Sequence, residues 1–154
     1  MVAAIASVLI VAALLTSAVV FAKNQVARRT QINEVAVQDF VRTFVTQYTS
    51  PDPFNANNYA DKILALGTGN FAKMYSERMN EVVLQVAKAE PGFGTVQDLG
   101  IQRWNDDGSA SVIAVASMAT KLPDGTKIES ASRWEITAIK EGDQWKVSDL
   151  IQVL

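Results

Sequence analysis

From Val2 to Ala22 the chain carries no charged side chain, and only Ser7, Thr16 and Ser17 interrupt an otherwise apolar run. Wound as a helix at about 1.5 Å per residue, the run is long enough to cross a hydrocarbon core roughly 30 Å thick. The hydroxyls do not spoil it, because a helical Ser or Thr can bond back to its own backbone. The pattern predicts a transmembrane helix over residues 1–22. A cleaved signal peptide is the competing reading, and Val20-Phe21-Ala22 could serve as its cleavage site. Two features oppose it: the run exceeds the roughly 7–15 residues of a typical hydrophobic region, and no basic stretch precedes it.

Small residues are unevenly spread around this helix. At about 100° per residue, Ala3, Ala6, Ser7, Ala13 and Ser17 share one arc, while Leu9, Leu15 and Val19 lie outside it. Small side chains let helix backbones approach closely in a bilayer, so this arc is the expected packing interface with a partner helix. Lys23, Arg28 and Arg29 follow the span and are candidate phospholipid headgroup contacts. Nothing basic precedes it, so the positive-inside rule directs the rest of the chain to the cytoplasm.

No Gly or Pro occurs before Pro51. A long helix is therefore predicted to continue through residues 23–50, carrying the membrane helix into the domain over about 70 Å in all. Its second half is amphipathic, with Val37, Phe40, Val41, Phe44, Val45 and Tyr48 in one stripe and Asp39, Arg42 and Gln47 opposite. Pro51 and Pro53 end it. A short helix is predicted near Asn58–Leu66, with Gly67 as its C-terminal cap. Thr68-Gly69-Asn70 then supplies N-cap chemistry for a third helix bearing Phe71, Met74, Tyr75, Met79, Val82, Val83 and Val86. Pro91-Gly92-Phe93-Gly94 stops it.

From Thr95 the hydrophobic period changes to two. Strands are predicted at about 95–104, 110–121, 127–140 and 144–153, separated by turns at Asp106-Asp107-Gly108, Pro123-Asp124-Gly125 and Glu141-Gly142-Asp143. Short turns between successive strands make an antiparallel meander. The predicted fold class is α+β: residues 51–154, together with the long helix, form three helices packed on a four-stranded curved antiparallel sheet.

Composition narrows the function. The chain has 14 Lys/Arg against 16 Asp/Glu, a formal charge of −2, which lacks the concentrated basic surface a nucleic-acid binder needs. It has no Cys and no His, so thiolate chemistry, a histidine base and the commonest zinc ligands are excluded. The remaining candidates for catalysis are Asp98, Glu135, Asp149, Tyr48, Tyr59 and Tyr75. An Asp base with a Tyr donor can suffice in a cone of this shape. No two carboxylates stand at a telling spacing, however, and Glu135 alternates with Trp134, so a non-enzyme without cofactor or metal is expected. Gly67-Thr68-Gly69 lacks the Lys-Ser/Thr of a phosphate loop and does not follow a strand. It reads as one left-handed cap and one tight helix–helix turn. Trp104, Trp134 and Trp145 are expected to pack in the core.

Two segments carry a family resemblance. Ile63-Leu64-Ala65-Leu66-Gly67-Thr68-Gly69-Asn70-Phe71-Ala72-Lys73-Met74-Tyr75 resembles the helix–glycine–helix signature of the Mce-associated membrane proteins of mycobacteria and their relatives. Gly142-Asp143-Gln144-Trp145-Lys146-Val147-Ser148-Asp149-Leu150 resembles their terminal strand, and the order of elements is also alike. The resemblance implies an NTF2-like (cystatin-like) domain on the extracytoplasmic side of the inner membrane. It also implies a role as accessory subunit of an Mce lipid-import complex for fatty acids or sterols, with a permease, other subunits and membrane lipids as partners. The family's charged segment before the span is absent ahead of Met1, and the implied orientation conflicts with Lys23, Arg28 and Arg29. Related cones occur in scaffold subunits of secretion and conjugation machines, which makes such a scaffold the alternative. A membrane-tethered small-ligand domain is a further alternative. It requires a sealed apolar pocket containing a buried carboxylate or tyrosine.

Overall fold

The computed structural model describes residues 32–122 and 124–153. The predicted membrane helix, its small-residue arc (Ala3, Ala6, Ser7, Ala13, Ser17) and the flanking Lys23, Arg28 and Arg29 lie outside the described residues. Among the described residues no helix is long and apolar enough to cross a membrane.

Residues 32–48 are helical (α1), and from Val37 onward they belong to one unit with the rest of the chain. The predicted stripe is the part that buries: Val37, Val41, Phe44 and Val45 are almost wholly shielded from solvent, with Phe40 and Tyr48 half-buried. Two hydroxyls finish the helix before Pro51. Thr49 Oγ1 donates to Val45 O at 2.7 Å and Ser50 Oγ donates to Thr46 O at 2.7 Å, satisfying carbonyls that the helix end leaves open. A 3₁₀ turn, Pro53–Asn55, leads into α2, Ala56–Ala65.

The predicted third helix is two helices. α3 spans Gly69–Glu77 and α4 spans Met79–Lys88, with Arg78 at the joint in a non-helical conformation (φ −104°, ψ 12°). α3 packs on the last strand whereas α4 packs on α2, and one straight rod cannot do both. The bend is mild in hydrogen-bonding terms, since Arg78 N still donates to Met74 O at 3.3 Å and Arg78 O accepts from Val82 N at 2.9 Å. No Gly or Pro marks it.

The sheet is the expected meander, β1 (Gly92–Trp104), β2 (Ala110–Lys121), β3 (Lys127–Glu141) and β4 (Gln144–Val153), all antiparallel in the order β1-β2-β3-β4. β1 begins at Gly92, so Gly92-Phe93-Gly94 is strand rather than a breaker. Pro91 is tolerated because it precedes the first residue of an edge strand. Asp107 and Asp124 lock two of the hairpins by accepting from the backbone N–H of Ser109 (2.9 Å) and Thr126 (2.8 Å). The Ser109 hydroxyl, donating to Asp107 at 2.6 Å, and then its N–H hold the Asp107 carboxyl below its ordinary range, and the Thr126 N–H does so for Asp124.

Register shifts at Val96/Asp98 and Ile101/Arg103 on β1, and opposite Thr137/Ala138 on β4, bend the sheet. Its inner face carries Ala110, Val112, Ala114 and Ala116 on β2 beside Ile136 and Ala138 on β3, all essentially buried. Alanines there let α1 lie close. At one end Trp104 of β1 and Trp145 of β4 come to 6.1 Å between ring centroids, although their strands stand three spacings, roughly 14 Å, apart across the sheet. That approach shows how strongly the sheet curls at the end where Trp104 pairs with Ala110.

Gly94 is where β1 meets the end of α1. A Cβ there would lie 2.7 Å from Thr49 Cβ and 2.9 Å from its carbonyl carbon, whereas one at Gly100 meets nothing within 4 Å. Gly94→Ala is therefore expected to destabilise the domain by about 1–3 kcal/mol, the usual range for overpacking. Gly100→Ala should stay within about 0.5 kcal/mol, and chemical denaturation of the two variants tests the contrast.

Candidate functional site

The two segments that carry the family resemblance meet in space. Leu66, Gly67 and Thr68, between α2 and α3, run alongside β4: Thr68 N donates to Val147 O at 2.8 Å and Val147 N donates to Leu66 O at 2.9 Å. Gly67 and Val147 thus form a parallel bridge that extends the sheet by one short segment. Side chains reinforce it. Thr68 Oγ1 donates to Glu141 Oε1 at 2.6 Å, Asn70 Nδ2 donates to Asp149 Oδ1 at 3.3 Å, and Lys146 Nζ donates to Ala65 O.

Gly67 and Gly69 serve this joint differently from the roles the sequence suggests. Gly67 is not left-handed. A Cβ on it would stand 2.5 Å from Phe71 Cδ1, so its requirement is close approach of an aromatic ring rather than αL geometry. Gly69 is the residue with positive φ (53°), at the first position of α3 and against Ser148 of β4. Thr68 occupies the N-cap but its side chain makes no capping bond, being committed to Glu141.

Beyond the joint lies a solvent-open cavity of about 370 Å³. α3 contributes Phe71, Met74 and Tyr75, α4 contributes Val82 and Val86, and β4 contributes Asp149 and Leu150. Tyr48, Tyr59 and Met118 close other sides, and Arg78 stands at the bend between α3 and α4. The three phenols are the only tyrosines of the chain. Tyr59 Oη donates to Tyr48 O at 2.6 Å. The hydroxyl of Tyr75 and the indole N–H of Trp134 are buried without a partner among the described residues. Aromatic packing holds the group: Phe44 contacts Phe71 edge-on at 5.6 Å, Phe71 contacts Tyr75 at 5.5 Å, and Tyr48 contacts Trp134 edge-on at 5.4 Å.

Burial pushes all three phenols above their ordinary value. For Tyr59 and Tyr75 the neighbouring phenols add to the rise, whereas the Arg78 charge partly offsets it at Tyr48. Arg78 is itself engaged, its Nε and Nη2 each donating at 2.9 Å to the Glu81 carboxylate.

Of the sequence candidates for chemistry, the structure brings Tyr48, Tyr59, Tyr75 and Asp149 around one cavity. Asp98 is exposed on β1, and Glu135 is half-buried on the opposite face of β3 from Trp134, between Ile113 and Ile151. Among the described residues no three carboxylates cluster to hold a metal. Trp134 and Trp145 pack against the core, but Trp104 is 37 % exposed and contacts Trp145 rather than lying in the core. Met118 and Arg78 are cavity residues that the sequence did not single out. The first was hidden because the inner face of β2 is otherwise alanine and valine, the second because the helix bend that exposes it has no breaker.

This geometry, helices packed on a curled four-stranded antiparallel meander, defines an α+β domain whose fold is shared with VirB8-type structures. The chain belongs to the mycobacterial family described as Uncharacterized protein Rv1363c/MT1408-like, whose model matches residues 1–153. No curated protein matches it. Among solved structures it is similar to CagV, a VirB8 homolog of the T4SS of Helicobacter pylori, with TM-score 0.64, 10% identity, and coverage of 77% of this chain and 97% of that one. A periplasmic fragment of TraM gives TM-score 0.59 at 14% identity, covering 76% and 94%. The intermembrane space region of the chloroplast protein ARC6 gives 0.52 at 11%, covering 78% and 95%.

Ionisation supplies a test of the tyrosine cluster. Below pH 10, near the ordinary phenol value, all three are neutral in both states and stability is unaffected. Above it the unfolded chain releases phenolic protons that the folded chain retains, so stability falls as pH rises. Phenolate absorbance should stay absent near pH 10 and appear together with unfolding. At neutral pH, Tyr59→Phe should cost about 0.5–1.5 kcal/mol through its lost bond to Tyr48 O, while Tyr75→Phe, losing an unpartnered hydroxyl, should cost less.

Proposed function

We propose that this protein is a non-catalytic accessory subunit of a lipid-transport complex of the Mce type in the cell envelope. The observation that carries the reading is the joint between Leu66–Thr68 and Val147, because it unites in one substructure the two segments resembling the Mce-associated membrane proteins. The likeness of the whole cone to CagV and to the TraM fragment supports a part in a multi-subunit envelope machine. On that fold likeness alone a secretion or conjugation scaffold is the second reading. The segment resemblance favours Mce.

In this reading residues 2–22 anchor the chain in the inner membrane and pack through Ala3, Ala6, Ser7, Ala13 and Ser17 against a permease helix. Lys23, Arg28 and Arg29 meet lipid headgroups, and the cone stands on the extracytoplasmic side. Charged side chains at the outer leaflet are compatible with this, since phosphates are available there too.

Native purification of the full chain in gentle detergent, followed by mass spectrometry, should recover an Mce permease with it. Ala13→Leu or Ser17→Leu should reduce that recovery several-fold by holding the helices apart. Recovery of the protein alone would refute the proposal, and recovery of secretion subunits would favour the second reading.

A further inference from the structure

Helices pack on one face of the sheet, and the other face is open among the described residues. We infer that this outer face is a self-complementary surface on which a second copy of the chain docks about a two-fold axis, with Arg133 of each copy over Glu135 of the other. The inference does not rest on the accessory role.

The register decides which side chains form the face. β2 and β3 turn Ala114, Ala116, Ile136 and Ala138 into the core, so the residues between them point the other way. Two adjacent rows then cross the sheet from β1 to β4. One runs Asp98, Val115, Arg133, Val153, and the next runs Gly100, Ile113, Glu135, Ile151. None of their aliphatic residues belongs to the hydrophobic core. Ile151 is 51 % exposed, and a Cβ at Gly100 would meet nothing within 4 Å.

The charges select the occupant. Arg133 and Glu135 stand two residues apart on β3, roughly 7 Å, among those aliphatic neighbours. Among the described residues neither belongs to an ion pair, Arg78–Glu81 being the one such pair. Packed sheets align their strands to within about 30°, at a spacing near 10 Å, so a second copy can be turned in two ways. An axis along β3 sets Arg133 on Arg133 and Glu135 on Glu135, which repels. An axis across the strands, level with Trp134, lays one row on the other. Arg133 then meets Glu135 twice, Val115 meets Ile113 twice, and Val153 meets Ile151 twice.

Bulk agrees with charge. Asp98 falls over Gly100, where the missing side chain leaves it room at the rim. In the flanking rows Ser117 lies over Ser111 and Ala131 over Thr137, all small enough for the sheets to approach. A surface that matches itself after a half-turn is what an isologous dimer requires.

The test uses the full chain in proteoliposomes at a low protein-to-lipid ratio. The chain has no cysteine, so Asp143→Cys, in the exposed turn between β3 and β4, carries a donor dye on some copies and an acceptor on others. Energy transfer should report self-association. Arg133→Glu should weaken it at least roughly ten-fold, and Glu135→Arg likewise, because each sets two like-charge contacts at the centre. The two variants mixed should associate as the parent does, each supplying the charge the other lacks, and Arg133→Glu combined with Glu135→Arg in one chain should regain self-association. Ile151→Lys, which leaves the charge pair intact, should weaken association to a similar extent. Absence of transfer in the parent would overturn the inference and leave the face to solvent or to a different subunit. Transfer unchanged by Arg133→Glu or Ile151→Lys would overturn it too, placing the contact elsewhere in the chain. So would failure of the mixed variants to pair.

Discussion

The pair of backbone bonds between Leu66–Thr68 and Val147 is the constraint on which the rest of the domain depends. β4 is an edge strand, and an uncovered edge invites pairing with other chains. Here the inter-helix segment occupies part of that edge, so one contact both ends α2 and starts α3 at a fixed point on the sheet. Gly67 makes the approach possible by leaving room for the Phe71 ring, and Gly69 supplies the reversed backbone from which α3 departs. The direction of α3 follows from this, and with it the positions of Phe71, Met74 and Tyr75 over the mouth of the cone.

The sheet's curvature is the second requirement, and it arises from side-chain size as much as from bulges. Alanines at 110, 114, 116 and 138 remove volume from the inner face exactly opposite the bulky stripe of α1, so Phe44 and its neighbours fill what the sheet leaves vacant. At one end of the curled sheet the two tryptophans, from its opposite edge strands, meet. Small residues on the strands and large ones on the helix are one packing solution. Enlarging either side alone would force the layers apart.

Much of this was legible in the sequence. The change of period at Thr95 marks the sheet, two Asp-Gly turns and Glu141-Gly142-Asp143 mark its hairpins, and the stripe Val37–Tyr48 names the buried face of α1. Three features were not legible, each for a physical reason. The bend at Arg78 follows from competing packing demands of α3 and α4, and no local residue encodes it. The early start of β1 depends on Ser50 Oγ accepting from Gly94 N at 2.8 Å, a contact 44 residues apart in sequence. Glycine after a helix usually marks a left-handed cap, whereas Gly67 makes room for the Phe71 ring, whose position is set by long-range packing against Phe44. The cavity is not legible because its lining comes from six elements, of which only the tyrosines and Asp149 stand out as candidates.

The chamber has one fixed wall and one adaptable wall. On the fixed side, Tyr59 is tied to the backbone of Tyr48, Tyr48 leans on Trp134, and Phe71 is held between Phe44 and Tyr75. On the other, Met74 and Met118 bring unbranched, polarizable side chains that re-pack at little cost. The fixed wall is continuous with the joint through Phe71, against which Gly67 is pressed. The result is a rigid aromatic side, oriented by the fold, facing a compliant thioether side. The hydroxyl of Tyr75, without a partner among the described residues, belongs to the rigid side, where packing sets its orientation.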